Sequence, residues 1–198
     1  MAEVAAAAHT EHTATGYDNR KLFMWIFLAS ECMFFGSFIA TFLLYRGRSL
    51  EGPYPKDVYN IPYTSVSSFV LLMSSLTMVL ALSAIQRGDQ RALRVWLLAT
   101  GLLGCTFLGG QAFEFTDFVH KGLTLHQNLF GTTFFVLTGF HGAHVSVGVL
   151  MLFSLAALSF RGRLPQSSSI NVELIGLYWH FVDVVWIVIF TLLYLVKL

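Results

Sequence analysis

The chain has 198 residues, of which 56% are hydrophobic and only 12% are charged, about half the charged share of a soluble domain. A globule of this length cannot bury so much apolar surface, so the composition excludes a water-soluble domain and indicates a membrane as the solvent. The formal net charge of +1 argues against nucleic acid as a partner.

The first twenty residues, MAEVAAAAHTEHTATGYDNR, are small, polar and without helix caps. They lack the basic start and the continuous apolar core of a cleaved signal peptide. We therefore predict a disordered cytoplasmic tail over residues 1–20, followed by a single membrane domain over residues 21–198.

Five apolar segments follow the tail, and each is close to the roughly 20 residues that cross a bilayer core. Because lipid offers the backbone no hydrogen-bonding partner, each segment must be a helix. The predicted fold is all-α, a bundle of five transmembrane helices. The fourth is longer than a span requires, so we expect it to tilt or to project beyond the membrane. The segments are Lys21–Tyr45, Thr64–Gln86, Ala92–Phe118, Gln127–Phe160 and Asn171–Val196.

Three of the connections are short and polar: RGDQR, HKGLTLH and RGRLPQSSS. They predict that the second to fifth helices follow one another as antiparallel neighbours. Five spans place the two termini on opposite sides of the membrane, with seven Lys and Arg residues on the N-terminal side against five on the other. Because cytoplasmic loops carry the excess of positive charge, we expect a cytoplasmic N-terminus and an outer C-terminus.

Two acids and three histidines lie deep within these apolar segments, away from their ends: Glu31, Asp183, His141, His144 and His180. A charged group at the centre of a membrane helix costs about 2.5–3.5 kcal/mol unless a partner offsets it. At the helical rise per residue, Glu31 and His180 both lie roughly 13 Å from the N-terminal side, and the fourth-helix histidines fall in the same half. We therefore expect the first, fourth and fifth helices to bring these groups together in one polar layer.

Residues three apart share a face of a helix, as His141 and His144 do, and likewise His180 and Asp183. Small residues surround the first pair, and small residues four apart let a neighbouring helix approach closely. They predict a tight contact between the fourth and fifth helices. These small residues are Gly139, Gly142, Ala143, Ser146 and Gly148.

The polar layer admits three interpretations: a structural network that holds the bundle together, a proton-handling site centred on Glu31, and a metal site. Any bundle must satisfy its buried polar groups, which favours the structural network. Histidines and carboxylates are metal ligands, but a lone HxxH spacing is a weak indication and no HExxH base accompanies it. Glu114, near the outer end of the third helix, is expected to be a secondary buried acid bonded to a neighbour or to water.

The two cysteines, Cys32 and Cys105, lie in apolar runs without a CxxC spacing, so we expect two small buried hydrophobic residues. Nucleotide-binding loops and nucleophile elbows are absent from the sequence. One HxxH on a single helix does not build a paired haem site. The residues themselves therefore predict no redox chemistry within this chain.

Three stretches resemble subunit III of haem–copper terminal oxidases: SECMFFGSF in the first helix, FGTTFFVLTGFHGAHVSVG in the fourth and YWHFVDVVWIVIF in the fifth. The resemblance covers nearly the whole chain from Leu22 onward. Longer members of that family have seven helices, so this chain is similar to the short, five-helix bacterial form. The lipid-filled cleft that the first two helices form in long members is not carried over.

The resemblance implies a non-catalytic core subunit of a proton-pumping oxidase in the aerobic electron transport chain of a bacterial cytoplasmic membrane. Subunit I would hold the haems and copper and form the main interface, and subunit II would receive the electrons. This chain would bind no cofactor, but it would hold phospholipid tightly. The family's polar network, which supports proton uptake, maps to Glu31, His141, His144, His180 and Asp183. Membership of a larger respiratory assembly stays open.

The motifs favour a cytochrome c oxidase, with a quinol oxidase as the alternative, since subunit II reads the electron donor. A self-contained ion transporter that uses the polar layer as its relay is a hypothesis from a different class. It is less favoured, because the sequence shows no inverted repeat and no pair of Gly- or Pro-broken helices.

Overall fold

The computed structural model describes residues 18–45, 60–125 and 129–196. The predicted tail, apart from residues 18–20, and most of the first connection lie outside the described residues. Within them, five helices are long and apolar enough to cross a membrane, and no strand is present, which confirms the all-α bundle. The helices are α1 (Asn19–Tyr45), α2 (Ile61–Gln86), α3 (Gln90–His120), α4 (Leu129–Phe160) and α5 (Ser169–Phe190). A 3-10 turn, Gln166–Ser168, precedes α5, and a π-helical turn, Thr191–Leu195, continues it.

Four of these helices begin two or three residues earlier than the apolar segments predicted, and polar caps start two of them, α2 and α3. The side chain of Asn60 accepts a hydrogen bond from the Tyr63 N–H at 3.3 Å, and that of Asp89 accepts one from the Arg91 N–H at 3.0 Å. Each cap satisfies a backbone donor that the first turn of a helix leaves unpaired. The tight turn between α2 and α3 also requires Gly88, whose φ of 77° suits a residue without a Cβ atom.

The packing of the helices divides the bundle into a core and an outer helix. α2 lies beside α3, α3 beside α4 and α4 beside α5, as the short links predicted, and α5 also packs along α2. By contrast, α1 contacts α4 and α5 and makes no extensive contact with α2 among the described residues. Only 17% of its apolar window is buried, against 33–44% in the other four helices. α1 therefore lies on the outside of a four-helix core.

A tryptophan packed onto glycines holds α5 close to α4 and α3. A Cβ atom on Gly148 would lie 2.8 Å from the Trp179 ring, and one on Gly104 would lie 2.7 Å from it. Because Trp179 is fully buried, its ring fits only where both positions lack a side chain. The predicted tight contact between α4 and α5 is confirmed at Gly148. Gly142 instead makes room for the side chain of Gln111 on α3.

Both cysteines are free, and both lie on the outer surface of the bundle, Cys32 on α1 and Cys105 on α3. The expectation that they are buried within the chain is wrong. An apolar run in a membrane helix does not distinguish the face toward other helices from the face toward lipid, since both are apolar.

Candidate functional site

Glu31 and His144 form a pair that joins α1 to α4. The Nε2 atom of His144 lies 3.1 Å from Oε2 of Glu31, and 19% and 17% of the two side chains are exposed. The second ring nitrogen, Nδ1, lies 2.7 Å from the backbone oxygen of Phe140, one turn earlier on α4. The sequence predicted that these two residues lie in the same half of the membrane, and the structure places them in contact.

Tyr178 of α5 completes the surroundings of this pair, although the sequence analysis did not single it out. Its hydroxyl donates to the backbone oxygen of His144 at 3.0 Å, and it is close enough to Glu31 for the two to interact electrostatically. Phe35 of α1 meets the His144 ring edge-on, with centroids 4.9 Å apart. The imidazole is thus held by its own helix and by α1, while α5 bonds to the backbone of the same residue. The indication in the sequence was a tyrosine within an apolar segment, since its hydroxyl needs a partner there.

His141 lies in different surroundings, although it is only three residues from His144. Its ring is fully buried, stacks on Trp186 with centroids 4.9 Å apart, and meets Phe107 edge-on at 6.0 Å. Neither ring nitrogen has a hydrogen-bond partner among the described residues. The HxxH histidines therefore do not converge on one point. Over the described ranges, no group of three or more His, Cys, Asp and Glu residues is arranged to hold a metal ion.

His180 and Asp183 of α5 interact with α2 rather than with Glu31. Nδ1 of His180 lies 2.6 Å from the hydroxyl of Ser75 on α2. Asp183 is 2% exposed, and its carboxyl oxygens have no partner of regular hydrogen-bond geometry within the described part of the chain, although the Ser75 hydroxyl lies near enough to influence the carboxyl group. The polar layer is thus divided into a pair between α1 and α4 and a group between α2 and α5.

Serines of α2 supply the polar side of the second group, and the sequence analysis missed them. The indole N–H of Trp179 donates to Ser74 at 2.9 Å, and that of Trp186 donates to Ser68 at 2.8 Å. Each serine satisfies a buried donor that would otherwise cost about 1–3 kcal/mol. The indication was present in the sequence as hydroxyl residues repeated along one apolar segment, with Ser75 beside Ser74.

Glu114 of α3 occupies a separate site in the bundle. It is 6% exposed and accepts hydrogen bonds from the hydroxyls of Thr64 on α2 and Tyr194, the latter at 3.4 Å. Tyr194 belongs to the π-helical turn after α5, and a π turn changes which side chains face inward. One carboxyl group therefore connects α2, α3 and the end of α5. Sequence reasoning singled out the acid but neither of its donors.

A second ion pair attaches α1 to α5 near the N-terminal end of both helices. Nζ of Lys21 lies 2.7 Å from Oε1 of Glu173, and 39% and 32% of the two side chains are exposed. Together with the Glu31–His144 pair, it gives α1 one polar contact to each of the two helices on which it packs.

Known proteins match this chain along most of its length. The family model for cytochrome c oxidase subunit III matches residues 2–197. Quinol oxidase subunit 3 of Bacillus subtilis (strain 168) is 39% identical over 175 residues, which cover 88% of this chain and 85% of the relative. Cytochrome c oxidase subunit 3 of Bacillus sp. (strain PS3) is 34% identical over 194 residues, covering 98% and 94%. Cytochrome bo(3) ubiquinol oxidase subunit 3 of Pseudomonas aeruginosa is 34% identical over 185 residues, covering 93% and 88%.

The matched region contains all five helices, including α1, α4 and α5, which carry the divided polar layer. The resemblance noted in three stretches of the sequence is thereby confirmed. The chain belongs to the cytochrome c oxidase subunit III family.

Proposed function

We propose that this chain is the non-catalytic core subunit III of a proton-pumping haem–copper terminal oxidase in the aerobic electron transport chain. The observation that carries the proposal is the family match along residues 2–197, shared with relatives that are subunits of cytochrome c and quinol oxidases. The chain is thus part of an oxidoreductase complex, and other oxidase subunits are its partners. In this proposal those partners hold the haem and copper.

Subunit I is the main partner in this proposal, with subunit II and tightly bound phospholipid as further contacts. The outer helix supports this arrangement, because it leaves large apolar side chains uncovered by the chain itself. Phe23, Trp25 and Met33 of α1 are 71%, 59% and 79% exposed. Such a surface suits an apolar helix of another subunit or the acyl chain of a lipid.

In this proposal the buried polar residues have two roles: those in the core and between α2 and α5 hold the bundle in shape, and the pair between α1 and α4 supports proton uptake by the oxidase. His141, His180 and Asp183 lie inside the core or along its α2–α5 seam. The Glu31–His144 pair is the candidate for proton handling, since it joins a carboxyl group to an imidazole and reaches the surface of the bundle.

The electron donor is a separate question. The relatives include quinol and cytochrome c oxidases at similar identity, so the preference for cytochrome c stays a prediction. Sequencing of the co-purified subunit II decides the donor, because a dinuclear copper site in that subunit marks the cytochrome c type.

The chain is a multi-pass membrane protein, with five helices able to cross the bilayer. We place it in the bacterial cytoplasmic membrane with the N-terminus in the cytoplasm, on the excess of Lys and Arg on that side. Protease treatment of spheroplasts that carry a terminal tag tests this orientation. A C-terminal tag is expected to be cleaved and an N-terminal tag protected; the reverse pattern would invert the topology.

Purification tests the proposed function. The chain is expressed in its host with an affinity tag, and membranes are solubilised in a mild detergent. We expect haem absorbance and oxidase activity to co-isolate with the tagged chain in constant ratio, and to be missing when an unrelated membrane protein carries the tag. Isolation without haem, combined with ion flux into vesicles that contain only this chain, would reject the proposal and support the transporter hypothesis.

A further inference from the structure

The hydrogen bond between His144 and the backbone oxygen of Phe140 has only one possible direction. The backbone oxygen of Phe140 can only accept, so its 2.7 Å contact requires a hydrogen on Nδ1 of His144. A neutral imidazole with its hydrogen on Nδ1 has a lone pair on Nε2. The Nε2 atom therefore faces Glu31 as an acceptor unless the ring is doubly protonated.

One hydrogen must then lie between the two side chains. At the 3.1 Å contact between Nε2 of His144 and Oε2 of Glu31, two lone pairs would otherwise repel each other. This hydrogen belongs either to a neutral carboxyl group that donates to Nε2 or to an imidazolium that donates to a carboxylate. Both arrangements have no net charge. Removing the proton or adding a second one leaves an unbalanced charge, which is costly within a membrane.

We propose that the contact between Glu31 and His144 is a binding site for one exchangeable proton. The site deepens the proposed function by naming where a proton is held, and its argument rests on the contacts themselves. The titratable neighbours are His141 on α4 and Tyr178 on α5, whose hydroxyl is used on the His144 backbone oxygen. Among the described residues, no Lys or Arg pairs with Glu31.

The position of the pair allows the proton to exchange. Both side chains are partly exposed at the surface between α1 and α4, so a proton-carrying group of an adjoining oxidase subunit can contact them without a path through the core of this chain. His141, by contrast, is enclosed by Trp186, Phe107 and Phe35. The site is therefore open toward the outside of the bundle, where other oxidase subunits or lipid lie.

The second ion pair of α1 provides a matched control. Lys21 brings its own hydrogens to the 2.7 Å contact with Glu173, so that contact needs no shared proton. Glu31→Gln removes the proton-binding carboxyl group but leaves an amide that can donate to Nε2 of His144. Glu173→Gln removes a carboxyl group from a contact that does not depend on a shared proton.

The test uses the purified oxidase complex that contains this chain, with histidine labelled with nitrogen-15 and glutamate labelled with carbon-13 at its carboxyl group. His144→Gln identifies the His144 signals by their loss. In the wild type we expect Nδ1 of His144 to carry a hydrogen at every pH at which the complex is intact, and one further proton to be shared between Nε2 and Glu31. In Glu31→Gln the shared proton is lost and Nδ1 keeps its hydrogen. In Glu173→Gln both signals are unchanged.

Two results would overturn the proposal: a wild-type spectrum in which Nδ1 carries no hydrogen, or a shared proton that persists in Glu31→Gln. If Glu31→Gln does not assemble, the wild-type signals of His144 and the Glu31 carboxyl group still decide. The haem content of each preparation is measured in parallel. Failure of the proton site with haem retained rejects the site alone, whereas a wild-type preparation without haem rejects the oxidase assignment.

Discussion

Glu31 and Glu114 are both carboxylic acids in membrane helices, yet they have different surroundings. Glu31 meets the imidazole of His144 at the edge of the bundle with 17% of its side chain exposed. Glu114 is 6% exposed and receives hydroxyl hydrogen bonds from α2 and from the turn after α5. The comparison shows that an acid can connect membrane helices either inside the core or at the edge of the bundle. The type of partner distinguishes the two cases.

The largest loss of stability is expected for substitutions of Glu114, the acid enclosed by the core. Glu114→Ala removes the acceptor on which Thr64 and Tyr194 converge and leaves a cavity between three helices. We expect the free energy of unfolding to fall by about 3 kcal/mol. The measurement is the denaturation midpoint of the purified complex. Glu114→Gln keeps the shape and one acceptor oxygen, so its loss should be about 1 kcal/mol; equal losses in the two variants would contradict this account.

At Glu31, the acid at the edge of the bundle, we expect a smaller loss of stability together with an effect on function. Glu31→Ala removes one partner of a partly exposed pair, which should cost about 1 kcal/mol. Electron transfer should stay largely intact, while assembly or proton uptake is perturbed. Haem reduction and proton uptake are measured on the same vesicles. A variant in which haem reduction is abolished would count against the comparison, because it would place Glu31 in the electron path.

A change in the group between α2 and α5 should lower stability without altering proton uptake, as a change at Glu114 should. Ser75→Ala removes the 2.6 Å contact with His180 and should lower the free energy of unfolding by about 0.5–1 kcal/mol, without a change in proton uptake. Ser65→Ala is the matched control, since among the described residues the Ser65 hydroxyl bonds to Ile61 of its own helix and to no other helix. Proton uptake slowed by Ser75→Ala alone would extend proton handling into the core.

The smallest effect is expected at the Lys21–Glu173 ion pair, whose side chains are more exposed than those of Glu31 and His144. Lys21→Gln should lower the free energy of unfolding by about 0.3–0.5 kcal/mol, because water and salt screen the contact with Glu173. The difference from wild type should shrink further in high salt, which screens exposed charges. A salt-independent loss of more than about 1 kcal/mol would show that other molecules bury this pair in the complex.

The five helices were predictable because long apolar runs have one solution in lipid. The rise per residue placed Glu31 and His144 in the same half of the membrane, but it did not give the direction in which each side chain points. His141 and His144 differ by about 60° around the helix axis. That rotation turns His144 toward α1 and His141 toward α3 and α5, and only the packed bundle shows which helix lies at which angle.

Other features depend on contacts that no local pattern specifies. The serines of α2 carry no charge and do not interrupt the apolar segment, so their role becomes visible only when Trp179 and Trp186 lie opposite them. The position of α1 was equally hidden, because the longest connection of the chain does not constrain α1 to pack beside α2.

The placement of α1 has a consequence for biogenesis. A chain is synthesised from its N-terminus, so α1 enters the membrane first, yet its neighbours α4 and α5 are made last. The carboxyl group of Glu31 is thus inserted before His144 exists, and until then water or another molecule must compensate for it. Insertion order and assembly order are therefore opposed in this subunit.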